Sequence, residues 1–180
     1  MWVSKVQRIT AREVALAGLS TAIATLFLAV GDFTFILLFV GYMVASIALS
    51  LPLAKGSYIG YAMAYVATLL LTVLIIGTAG YLLDLLPFIL FFGLHPLLNV
   101  LQEKLQVKKW LAFLVKCVWF DGAMLLFWWL VVQTTGISWL DAYAPPIVLV
   151  GSTLYFVVYD CAFYRLNKQV FALVARIVKK

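Results

Sequence analysis

Asp84, His95, Lys116, Asp121 and Asp160 stand inside long apolar stretches of the chain, with Asn99 and Gln133 as uncharged companions. Ionisable groups in such surroundings are costly, and they mark ion paths, proton relays or fixed charge pairs. Lys116 needs a counter-ion. Asp121 is badly placed to supply it from the same helix, because five positions set the two side chains about 140° apart. Asp160 belongs to another segment at a similar depth, and His95 or Asn99 would complete a polar network with it. Such a network is a proton relay or a state-dependent latch, or else a fixed ion pair holding three helices together. Lys116 also has the option of snorkelling to the membrane surface without a partner.

A second group lies towards the opposite ends of the same stretches. Asp32, Asp84 and Gln133, with Trp128 and Trp129, are candidate substrate-binding residues, and their chemistry favours a neutral or cationic solute. Trp128, Trp129, Trp139 and Tyr143 also suit the membrane–water interface as plain anchors. Other chemistry is missing from the sequence. It has no phosphate-cradling glycine loop, no paired-His metal motif, no Gly-x-Ser-x-Gly and no Cys-x-x-Cys. One His and no nucleophile–base pair leave no basis for an enzyme, and no cofactor or metal is expected. Cys117 and Cys161 are expected as reduced, buried small residues.

The elements that must position these residues are membrane helices. Of the 180 residues, 66% are hydrophobic and 11% charged, with a mean hydropathy of +1.11. Soluble domains carry about 25% charged residues, and a chain this short cannot hide so much apolar surface inside itself. The expected fold is therefore an all-α integral membrane protein, a bundle of six transmembrane helices in one domain covering residues 1–180. A span needs about 20 apolar residues. The runs that qualify are 14–30, 33–51, 57–77, 81–101, 111–134 and 145–164, separated by Gly- and Pro-containing breaks. The first run is too long for a signal-peptide core and is expected to be retained.

The net charge of +6 is segregated along the chain, so it orients a membrane protein and does not bind nucleic acid. Lys5, Arg8 and Arg12 precede the first span, and Lys55 follows the second. Lys104, Lys108 and Lys109 follow the fourth, and Arg165, Lys168, Arg176, Lys179 and Lys180 follow the sixth. The alternate connections carry only Asp32 and Asp141. This pattern predicts both termini in the cytoplasm of a bacterial cell, with the lipid bilayer as the main partner. Residues 166–180 form a basic amphipathic stripe that either lies on the inner headgroup layer or extends the sixth span.

Two spans have unusual patterns. In the fourth, Pro87 and Pro96 interrupt the helix, as in broken helices that line transporter cavities and in ordinary kinked membrane helices alike. In the first, Ala11, Ala15, Gly18 and Ala22 share one face, smooth enough for the close approach of another helix from a partner or from this chain.

These features resemble the substrate-binding S-components of energy-coupling factor transporters. The resemblance rests on six spans in about 180 residues, both ends inside, and a basic N-terminus running into Arg12-Glu-Val-Ala15-Leu-Ala-Gly18-Leu-Ser-Thr-Ala22. It implies that Ala11-x-x-x-Ala15 and Gly18-x-x-x-Ala22 pack against a transmembrane coupling subunit. It also implies that separate ATPases power uptake of a vitamin-like molecule captured from outside. The stretch Phe92-Gly-Leu-His-Pro-Leu-Leu-Asn99, followed by Glu103-Lys104, also resembles a segment of uncharacterised Firmicute membrane proteins of similar length. The alternative is a non-transport scaffold or envelope-assembly subunit. A solute cavity lined by Asp84 and Gln133 favours the transporter, and a filled outer core favours the scaffold.

Overall fold

A computed structural model describes residues 10–34, 37–77, 79–135 and 144–178. Lys5, Arg8, Trp139, Asp141, Tyr143, Lys179 and Lys180 lie outside the described residues. Among the described residues every regular element is helical: α1 (Ala11–Thr34), α2 (Leu38–Leu53), α3 (Tyr58–Ile76), α4 (Ala79–Asp84), a π-helical turn (Phe88–Phe92), α5 (His95–Lys104), α6 (Lys109–Thr135) and α7 (Ala144–Val178). Five stretches, Ala11–Thr34, Tyr58–Ile76, Leu82–Lys104, Lys109–Thr134 and Pro145–Arg176, are long and apolar enough to cross a membrane. The 16-residue α2 is shorter. At 1.5 Å per residue it extends about 24 Å, a little less than the hydrocarbon thickness of a typical bilayer.

Local signals set the helix ends. Thr10 and Glu13 form a reciprocal capping box at the start of α1: the Thr10 N–H donates to Glu13 Oε2 at 2.7 Å, and the Glu13 N–H donates to Thr10 Oγ1 at 3.3 Å. Ser57 caps α3 by accepting from the Gly60 N–H at 3.2 Å. Gly77, at φ 66°, closes α3 in the left-handed conformation that a side chain resists. The stripe from 166 onward has no breaker before it, and α7 continues through it as one helix to Val178.

α1, α2 and α3 pack closely together. The Ser20 hydroxyl donates to the Ala48 carbonyl at 2.7 Å, and Thr21 donates to its own Ala17 carbonyl and to that of Ala64 across the α1–α3 contact. At the α1–α2 crossing, a side chain on Gly41 would come within 2.6 Å of the Phe27 carbonyl, so only glycine allows this approach. The face of α1 turned away from this contact carries Ala11, Ala15, Gly18 and Ala22. All four are exposed, and nothing lies within 4 Å of where a Gly18 Cβ would sit.

The fourth expected span is not one helix but three pieces. A proline frees carbonyls three and four residues before it, and hydroxyls on α2 and α3 meet the need. Tyr42 donates to the Asp84 carbonyl and Tyr61 to that of Gly93. Ser46 donates to Phe92 O at 2.6 Å, and Tyr65 to Ile89 O at 2.8 Å. Phe92 and Gly93 are the carbonyls that Pro96 leaves open, and Asp84 is one that Pro87 leaves open. Ile89 is free because the Gly93 N–H reaches back five residues to Phe88, at 2.8 Å. The irregular backbone is thus matched from inside the protein, as a low-dielectric surrounding requires. Around it Phe88, Phe91, Phe92, Phe120 and Phe156 fill the centre, all at 1% exposure or less.

Candidate functional site

The polar network expected from the sequence forms where α5, α6 and α7 meet. Pro96 in the first turn of α5 sets the start of the helix beside the π-helical turn, and this places His95 in the centre of the bundle with no exposed surface. Asn99 follows one turn later on the same face. Lys116 comes from the second turn of α6, and Tyr159 and Asp160 from the middle of α7. The Lys116 ammonium donates to Asp160 Oδ1 and to Asn99 Oδ1, each at 2.9 Å. His95 Nε2 stands 3.0 Å from the same Asp160 oxygen. A carboxylate only accepts, so the imidazole proton belongs on Nε2, leaving Nδ1 to accept from the Asn99 amide at 3.3 Å. The Tyr159 hydroxyl lies 3.3 Å from Nδ1 and 3.1 Å from Ser46 Oγ, and so joins the network to α2. Lys116 therefore pairs with Asp160 and does not snorkel.

Asp121 does not join this network. Its position round α6 turns it away from Lys116, and it accepts instead from Ser152 and from Thr153, the latter at 2.9 Å, with the Cys117 thiol at 3.8 Å. It pins α6 to α7 one turn further along. Cys117 and Cys161 are both free thiols; Cys161 is exposed, not buried as expected.

Three cavities among the described residues surround α5 near its Lys104 end. One of about 450 Å³ lies between α5, α6 and α7, with Asn99, Lys116 and Asp160 in its wall. A second, of about 200 Å³, runs between α5 and α7 past Glu103 and Asn167. The third, of about 320 Å³, is an apolar slot between α5 and α6. The Lys104 ammonium sits 5.4 Å above the Tyr58 ring, so the end of α5 and the start of α3 share this basic end of the bundle.

The residues expected to bind substrate behave differently. Asp32, in the last turn of α1, is 5% exposed, and neither of its carboxylate oxygens has a hydrogen-bond partner. Asp84 lies within electrostatic reach of it and is half-buried. The hydroxyls of Thr25, Thr68 and Thr72 are likewise buried without partners. Thr21 and Ala64 stand level on α1 and α3, which places Thr25 and Thr68 one turn further along the same contact. Gln133 and Trp129 are exposed and Trp128 is half-buried, on α6. None of the three cavities is lined by Asp32, Asp84, Trp128, Trp129 or Gln133.

Sequence reasoning missed Ser46, Tyr159 and the threonine seam. Hydroxyls occur in many membrane helices, and only the depth of Ser46 opposite Pro96 and of Tyr159 next to Asp160 gave any signal. No group of three or more His, Cys, Asp or Glu residues suited to a metal occurs among the described residues. No protein-family model, curated protein or solved structure matches the chain.

Proposed function

We propose that the chain is the membrane-embedded substrate-binding subunit of a small-molecule uptake transporter, energised by separate ATPase subunits. In this reading it crosses a bacterial plasma membrane six times, with both termini cytoplasmic and α2 as the second, short span. Asp32 then lies in the outer half. The observation that carries the reading is its carboxylate, enclosed yet without a protein partner. A buried anion left unmatched costs several kcal/mol, on the order of the penalty for any desolvated charge. A cationic or hydrogen-bonding solute entering from outside supplies the missing partner, with Asp84 alongside. The open face of Ala11, Ala15, Gly18 and Ala22 gives a coupling subunit a smooth surface for close helix approach.

Native mass spectrometry of the protein purified from its own host tests this. Co-purifying ATPases or a bound small molecule are expected, and Gly18→Leu with Ala22→Leu should release the ATPases while leaving the fold intact. Recovery with envelope enzymes and no ligand would overturn the proposal.

One observation favours a second reading, a non-transport scaffold. The centre of the bundle is filled by phenylalanines, and the cavities between α5, α6 and α7 lie at the basic end, away from Asp32. In that case the Asp32 carboxylate is protonated and no ligand co-purifies.

A further inference from the structure

We propose that the crevice around α5 holds a phospholipid of the adjoining leaflet by a phosphoethanolamine headgroup. The inference is independent of the transport reading and rests on other residues. The 450 Å³ cavity and the 320 Å³ slot share two wall residues, Gln102 and Lys116, but differ in character. The cavity wall carries Glu103, Lys109, Lys116 and Asp160. The slot is lined by leucine, valine and Trp119 side chains, with Gln102 and Lys116 as its polar members. A polar space that shares wall residues with an apolar one, at the basic end of membrane helices, fits an amphiphile. A water-soluble solute would leave the slot unused, and a plain hydrocarbon would leave the charges unmatched.

The charges choose the headgroup. Lys116 uses two of its three N–H donors, on Asn99 and Asp160, and keeps one for a ligand. Lys109 begins α6, two turns or about 10 Å from Lys116 along the helix, so cationic groups stand at the mouth and at the floor of one cavity. Both suit a phosphodiester, which only accepts. Glu103, at the last turn of α5, faces both polar cavities and forms no ion pair among the described residues. It needs a donor. Two cations and two anions line the space, so an anionic head would leave Glu103 unmatched. A choline head carries charge but no N–H. Ethanolamine offers an ammonium for Glu103 and a phosphate for the lysines.

The test is native mass spectrometry of the full chain, delipidated in detergent and titrated with phosphatidylethanolamine, phosphatidylglycerol and phosphatidylcholine, and with soluble glycerophosphoethanolamine. Phosphatidylethanolamine should bind about 10-fold more tightly than the other two lipids, the equivalent of one charge-assisted hydrogen bond. The soluble headgroup should not bind at the same concentrations. Glu103→Gln should remove the preference, and Lys109→Gln should weaken all three lipids. Ala112→Trp, which fills the slot, should lower lipid binding about 10-fold, the loss expected when an acyl chain gives up about two buried methylenes. Lys116 is left intact because the fold depends on it. Equal affinity for the three lipids would overturn the proposal, as would a preference that survives Glu103→Gln. Tight binding of glycerophosphoethanolamine would assign the cavity to a soluble solute and overturn it as well.

Discussion

Two polar regions are buried in this bundle, and they are built on opposite terms. Where α5, α6 and α7 meet, Lys116, Asp160, His95, Asn99, Tyr159 and Ser46 answer one another donor for acceptor. Along α1 and α3, Thr25, Thr68, Thr72 and Asp32 have no partner. Apart from Ser46 on the shorter α2, both regions lie in helices long and apolar enough to cross a membrane, where desolvating a polar group is costly. The difference separates polar groups that hold the bundle together from polar groups whose hydrogen-bonding capacity is left open.

Breaking the matched side should give the largest effect. Asp160→Leu strands the Lys116 ammonium and the His95 Nε2 proton together, at a cost of about 3–5 kcal/mol. Adding Lys116→Met should recover most of that, because an apolar pair of similar volume is close to neutral. Thermal unfolding of the single and double variants in detergent measures both. Equal losses in the two would show that the pairing is not what holds α5 to α6 and α7. The unmatched side should respond with the opposite sign. Asp32→Leu removes a desolvated group that has no bond to lose, so ligand-free protein should gain about 1–3 kcal/mol. The same variant should lose ligand retention in native mass spectra. A clear loss of stability would mean that Asp32 has a structural partner, and the contrast between the regions would fail.

Much of the matched region was legible in the sequence, because charge in an apolar run is rare enough to stand out. Lys116, Asp160, His95 and Asn99 could be grouped by depth alone, and the angle between positions 116 and 121 excluded Asp121 as a counter-ion. The placement of Asp121 against Ser152 and Thr153 was not legible, since it depends on how α6 and α7 rotate about their axes. The prolines of the fourth span announced a break but not its form. A π-helical turn depends on which carbonyls neighbouring hydroxyls can reach, and those hydroxyls come from α2 and α3. The seam of threonines was hidden for a different reason. A threonine in a membrane helix usually bonds to its own backbone one turn back, as Thr34 and Thr134 do here. Nothing in sequence distinguishes those from the three that do not.

The backbone around the prolines gives a test of intermediate size. Tyr61→Phe removes the donor for the Gly93 carbonyl beside Pro96, with no change in volume. It should cost about 1–2 kcal/mol in thermal unfolding, the penalty for one buried carbonyl left open. If Tyr61→Phe is neutral, the irregular span takes its hydrogen bonds elsewhere and the tyrosines are packing groups only.

The smallest effect is also the sharpest comparison, because it sets two residues of one type against each other at one contact. Thr21 and Thr68 are both buried between α1 and α3. The Thr21 hydroxyl bonds to Ala17 O at 2.8 Å, whereas that of Thr68 bonds to nothing. Valine keeps the shape of threonine and drops the hydroxyl. Thr21→Val should therefore cost about 1 kcal/mol, and Thr68→Val should be neutral or gain a few tenths. Any larger loss at Thr68 in ligand-free protein would show that its hydroxyl is engaged, and would close the seam as a place for a ligand. A change confined to ligand-loaded protein would extend the site from Asp32 inward, towards the middle of the bundle. Paired unfolding curves, with and without any small molecule that co-purifies, distinguish the two.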